Sequence, residues 1–159
     1  MDMLTFMENR IDQMDFAGDL NINWDGDIRS FELEITMVGQ TNDLEIENQE
    51  GGTADQEVTY DDALLIYDQQ KVAGDKYADN YLKTIPFNGR QGIEQATLTG
   101  LFNYLETLLD DSMNDFLDFL DPEMSVATFQ INWSQADYQQ AVQEAKLVGA
   151  AGFFSYPKY

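Results

Sequence analysis

The sequence contains no cysteine and no histidine, and only eight Lys and Arg residues stand against thirty Asp and Glu. Without cysteine there can be no disulfide, thiolate metal site or cysteine nucleophile. Without histidine, the side chain that titrates near neutral pH and most often serves as general base is missing. None of the five serines lies in a Gly-x-Ser-x-Gly elbow, and no Walker or Gly-x-Gly-x-x-Gly loop is present. The chain is therefore expected to be no enzyme and to need no cofactor. The scarcity of bases leaves a net charge of −22. Such a surface repels nucleic acid and anionic lipid, so no direct nucleic-acid or membrane binding is expected, and it attracts basic partners. Long apolar runs are also missing. The longest nearly apolar stretch, residues 147–154, is too short to span a bilayer and holds Gly149 and Gly152. The start, Met1-Asp2-Met3-Leu4, lacks the basic and apolar regions of a secretory signal, which points to a cytoplasmic protein.

What is present suffices for one core. With 43% hydrophobic and 13% aromatic residues, the 159-residue chain fits a single acidic α+β domain over residues 1–159. The stretch 93–120 organises it. Leu98, Leu101, Phe102, Leu105, Leu108, Leu109, Met113, Phe116, Leu117 and Leu120 recur at helical spacing and predict one broad buried stripe. A continuous helix over 93–120 would reach about 42 Å. Ser112-x-x-Asp115 resembles a capping box, and carboxylates at a helix end oppose its dipole, so a break near Asp111 is expected.

Elsewhere, Leu4, Met7, Ile11 and Met14 predict an N-terminal helix over 2–15. From Asp19 the period becomes two, with Leu20, Ile22 and Trp24, then Phe31, Leu33, Ile35 and Met37, around Asp25-Gly26. Asp-Gly between alternating runs signals a tight hairpin, pairing Trp24 with Asp27 and Leu20 with Phe31. A third strand is expected around Leu44 and Ile46, a loop at 49–55, and a more buried strand over 58–67. A helical turn near Asp75 and a strand over 81–87 follow. Pro122 ends the helical stretch. Ala127, Phe129, Ile131 and Trp133 alternate as a late strand, and Ser134 caps a helix over 135–147. The fold expected is a largely antiparallel sheet of about five to six strands with helices on one face and helices at both chain ends.

Three candidate sites follow. The first is the acidic side of the long helix, Glu106, Asp110, Asp111, Asp115 and Asp118, in a stretch without Lys or Arg from 91 to 145. Carboxylates can stand in for phosphates before a basic groove, so this face suits a nucleic-acid-mimicking inhibitor of a basic DNA- or RNA-binding protein. A solvated helix face explains the same residues. The second is an aromatic contact of Phe153, Phe154, Tyr156 and Tyr159, which either docks on the core or meets a partner or a second copy. The third is a calcium loop: Asn21, Asn23, Asp25, Gly26, Ile28 and Glu32 occupy EF-hand positions. Position one is Asn, Arg29 intrudes, and the flanks alternate like strands, so a hairpin turn is preferred and no metal is expected. The pairs Asp61-Asp62 and Asp110-Asp111 suit carboxylate chemistry in principle, but thirty acids make such pairs by chance.

Ile85-Pro86-Phe87 leading to Gly92-Ile93-Glu94, residues 110–120, Phe129 to Trp133 and the ending Tyr156-Pro157-Lys158-Tyr159 resemble a family of small acidic bacterial cytosolic proteins. That family is known only as a domain of unknown function, so the resemblance implies no activity and carries over no site residue. The order of elements and the acidity are also similar to secretion-chaperone-like folds, a likeness of architecture alone. The reading is a protein-binding or chaperone-like module, a monomer or weak homodimer, with an unidentified and basic protein partner. The mimic and a carboxylate-based metal-binding protein are the alternatives.

Overall fold

The computed structural model describes residues 1–41, 56–126 and 128–157. The alternating runs form strands β1 (Asp19–Asp25), β2 (Ser30–Thr41), β3 (Gln56–Asp68) and β4 (Lys83–Phe87), in one sheet of order β1-β2-β3-β4. The first two pairings are antiparallel and β3 pairs with β4 in parallel. A separate two-stranded sheet joins β5 (Ile93–Glu94) to β6 (Phe153–Phe154). Helices α1 (Met3–Gln13), α2 (Gln95–Leu120) and α3 (Gln135–Leu147) complete the α+β fold. The sheet is thus mixed and four-stranded rather than antiparallel with five to six strands. Parallel neighbours need a crossover of a dozen or more residues, and residues 69–82 supply it through a 3₁₀ helix at Gly74–Asn80.

The β1–β2 hairpin also differs from the tight turn. Trp24 pairs with Phe31 and Leu20 with Ile35, leaving residues 26–29 as the loop. The Asp25 side chain accepts the Asp27 N–H at 3.0 Å, and the residue with positive φ is Arg29, at 50°. Asp-Gly is used here as a side-chain-capped turn, not as a type I′ pair. The change of register is even, so the apolar residues keep the same face.

Phe31, Leu33, Ile35 and Met37 of β2, Leu64 and Ile66 of β3, and Ile85 and Phe87 of β4 form one buried cluster with Leu98, Leu101, Phe102, Leu105 and Phe116 of α2. Met3 and Met7 bring α1 into it, and the Asp2 side chain caps that helix by accepting the Thr5 N–H at 2.7 Å. Helix α2 runs unbroken through Asp111, and Ser112 is buried within it. An N-cap is worth about 1 kcal/mol, whereas each buried Leu or Phe on the continuous stripe contributes roughly 1.5–3 kcal/mol. The stripe wins, and the acidic C-terminal turn is tolerated. Helix α3 packs on α2 at Gly100, where an added Cβ would lie 2.5 Å from Val142 Cα.

The late strand does not form. Residues 128–134 pair with no strand; the Ile131 N–H donates to the Tyr60 hydroxyl at 3.2 Å and the Ser134 N–H to the Tyr104 hydroxyl at 2.7 Å. The strand expected around Leu44 and Ile46, the 49–55 loop and Ala127 lie outside the described residues. Among the described residues, no helix is long and apolar enough to cross a membrane.

Candidate functional site

With the helices on one face, the strand residues of opposite parity form an open face. The register aligns them in rows: Asp19, Thr36 and Asp61; Asn21, Glu34 and Ala63; Asn23, Glu32 and Leu65; Asp25, Ser30 and Tyr67. Five of these positions are carboxylates and none is Lys or Arg. Hydrogen bonds hold the rows in place. Thr36 donates to Asp61 at 3.0 Å, Asn23 to Glu34, and the Tyr81 hydroxyl to Glu32.

The β3–β4 crossover roofs one end of this face. Gly74 rests on the Tyr67 ring, where a Cβ would sit 2.5 Å from Cδ1, so the close approach requires glycine. Between the roof and the hairpin end lies a groove of about 540 Å³, lined by Ile28, Leu65, Val72, Tyr77 and Tyr81 with Asp25, Glu32 and Lys71. Its size falls in the range of ligand sites. Ile28 and Tyr77 are 43% and 49% exposed, so two large apolar side chains stand at the groove in solvent.

The hairpin loop that carries Ile28 is braced through Arg29. Its Nε donates to the buried Asp68 carboxylate at 2.9 Å, Nη2 donates to the Gly89 carbonyl at 2.9 Å, and the guanidinium lies 3.8 Å over the Tyr156 ring. Burial first, then the hydrogen bond to Glu32 and its charge, push the Tyr81 phenol up to about 12. At neutral pH Tyr81 is therefore a donor that fixes Glu32, not a base. Carboxylates beside aromatic and aliphatic side chains are the chemistry that receives Lys and Arg.

The sequence-derived candidates fall elsewhere. Glu106, Asp110, Asp111, Asp115 and Asp118 are all exposed on α2. Their surroundings differ. Arg10 of α1 takes Glu106 at 3.2 Å and lies over the Phe6 and Phe102 rings, while Asp115 and Asp118 border a separate groove with Phe129 and Asn132. Of the aromatic set, Phe154 and Tyr156 are buried, Phe153 is exposed, and Tyr159 lies outside the described residues. Phe154 stacks on Phe6 at 4.4 Å, and Tyr156 accepts the Trp24 indole N–H beside Phe31 and Phe87. Buried rings of this kind serve the core, not an exposed contact. The EF-hand-like residues lie in the hairpin, where Asn23, Asp25 and Glu32 make the bonds described above. Among the described residues, no group of three or more Asp and Glu side chains is placed to hold a metal ion.

No curated protein matches the chain. A crystal structure of a conserved protein of unknown function from Enterococcus faecalis is similar over 99% of this chain and 96% of that one, with a TM-score of 0.84 at 25% identity. A family model described as protein of unknown function (DUF3013) matches residues 1–158, and the chain belongs to that family.

Proposed function

We propose that the protein is a non-enzymatic, cytosolic binding module that takes a basic partner protein on the open face of its sheet. The supporting observation is the alignment of Asp19, Asp25, Glu32, Glu34 and Asp61 on one face beside the exposed Ile28 and Tyr77. Apolar anchors next to unopposed carboxylates favour a partial burial of the partner's Lys and Arg stems together with their charges. The residues bordering the groove contain no nucleophile–base pair, and Tyr81 is held protonated, which favours binding over catalysis. A chaperone-like role fits the same surface.

The nucleic-acid mimic remains a second reading, favoured by one observation. Asp110, Asp111, Asp115 and Asp118 form no ion pair among the described residues, so that stretch of α2 presents free charge.

Capture from lysate separates the two readings. The tagged wild type is compared with an open-face variant, E32Q/E34Q/D61N with Ile28→Ser, and with D111N/D115N/D118N, each checked for native circular dichroism. A specific protein lost with the first variant, kept with the second and retained at moderate salt supports the open face. A protein lost with the second variant and displaced by duplex DNA supports the mimic. Capture insensitive to both variants overturns both.

A further inference from the structure

Strand β1 is the outermost strand of the sheet, and its register with β2 is unbroken. Among the described residues nothing pairs with the outer edge of residues 19–23. Proteins usually blunt such an edge with charges, Lys above all, with Pro or with a bulge. Strand β1 has no Lys, Pro or bulge, and its charges are Asp19 and Asp25, which repel an acidic strand and attract a basic one. Its core-facing row is also incompletely covered. Leu20 and Ile22 are half-buried, whereas their partners Ile35 and Leu33 are 0% and 1% exposed. The edge therefore offers backbone donors and acceptors together with apolar surface on one side and Asp19 and Asp25 on the other.

We propose that β1 accepts one further strand, an extended partner segment in which basic and apolar side chains alternate. Period two puts its apolar residues beside Leu20 and Ile22 and its Lys or Arg residues beside Asp19 and Asp25. A second copy of this chain is the poorer occupant. Two β1 strands paired antiparallel about Ile22 set Asp19 opposite Asp25 at both ends, between molecules that each carry −22. Like charges directly opposite in a sheet are destabilising. The proposal rests on the open face as the binding surface and adds how the partner is held.

The test titrates the isotope-labelled full chain with three synthetic heptapeptides at low salt. One alternates Lys and Val beginning and ending with Lys, one has the same composition as four Lys followed by three Val, and one is the alternating peptide with every amide nitrogen methylated, which removes the donors of both edges. The expected result is that the alternating peptide slows amide exchange in residues 19–23 and binds about tenfold or more tightly than the other two, the scale of one lost backbone pairing. Equal binding of all three, with shifts at Glu32, Glu34 and Asp61 and unchanged exchange in β1, overturns strand addition and leaves the open face standing. No change with any peptide overturns both. Doubling of the particle mass in the free protein replaces the basic segment with a second copy.

Discussion

At the scale of single residues, Arg29 has the most to answer for. Its φ of 50° is a conformation that costs a non-glycine residue roughly 1–2 kcal/mol, and its guanidinium neutralises an Asp68 side chain that is only 2% exposed. The two effects have opposite signs at one position, which makes them separable. Arg29→Ala keeps the backbone strain and strands a buried carboxylate, so it should lose about 3 kcal/mol, the lower end for a broken buried pair because Arg29 itself is partly exposed. Arg29→Gly strands the same carboxylate but relieves the strain, so it should be more stable than Arg29→Ala by about 1 kcal/mol. Urea unfolding of both variants decides. An alanine variant at least as stable as the glycine one would mean that the positive φ stores no strain. Because residues 26–29 carry Ile28 to the groove, Arg29→Ala should also weaken binding of the alternating Lys–Val peptide. Glycine at this position should not restore it, since the brace is the side chain.

Among the elements, α2 offers the sharpest test, because a break near Asp111 and a continuous helix predict opposite signs for one substitution. As an N-cap, Ser112 would be worth about 1 kcal/mol, lost on mutation to Ala. Within a continuous helix, Ala is the better residue by a few tenths of a kcal/mol. Ser112→Ala is therefore expected to leave stability unchanged or raise it, as read by thermal and urea unfolding. Gly100→Ala tests the α2–α3 contact. Ala is favoured over Gly in a helix by about 1 kcal/mol, yet its Cβ would meet Val142 Cα and N at 2.5 and 2.6 Å. Val142 backbone cannot step aside, and overpacking of 1–3 kcal/mol should make the variant less stable than wild type. These contacts also mark where sequence reading stops. Helices α1 and α2 and strands β1 and β2 are legible because each buries one face and so repeats at 3.6 or 2 residues. Strand β3 is legible instead as a run buried on both faces, Leu64 to Tyr67, and α3 by its Ser134 cap. Helix α2 is continuous where Ser112-x-x-Asp115 suggests a cap, because the burial on both sides of Ser112 outweighs local cap chemistry. The parallel placement of β4 depends on a crossover that has no period. Residues 128–134 alternate like a strand, but the Ile131 and Ser134 amides donate to the hydroxyls of Tyr60 and Tyr104, far away in sequence. The candidate site was half legible: Glu32 and Glu34 face outward by alternation alone. Their rows with Asp19 and Asp61 need the true register, which the Asp-Gly turn conceals, whereas the acids of α2 stand out in the sequence because no Lys or Arg interrupts residues 91–145.

For the molecule as a whole, charge and burial act in opposite pH and salt regimes. Thirty acids face eight bases, and among the described residues three ion pairs form, of which one, Arg29–Asp68, has a buried carboxylate. Screening should therefore weaken more repulsion than attraction, and the melting temperature should rise as sodium chloride is added to about 0.15 M, where the screening length is near 8 Å. A fall on adding salt would show that the pairs outweigh the repulsion. Alkali should act against the fold through its tyrosines. Burial raises the Tyr138 phenol to about 12, and burial followed by the Glu32 contact does the same for Tyr81, from 10.0 in the unfolded chain. Between those values the unfolded chain has released protons that the folded chain retains. Stability is then fully present below pH 10 and falls as pH rises from 10 toward 12. Tyr138→Phe removes one such group, and burial alone causes its shift, so the variant should fold and lose stability less steeply over that window. Melting curves of wild type and Tyr138→Phe across the window, with phenolate absorbance followed in parallel, measure both the slope and the groups behind it. Identical slopes for the two proteins would remove Tyr138 from the account and leave Tyr81 and the remaining raised phenols, Tyr60, Tyr67 and Tyr104, to carry the alkaline loss.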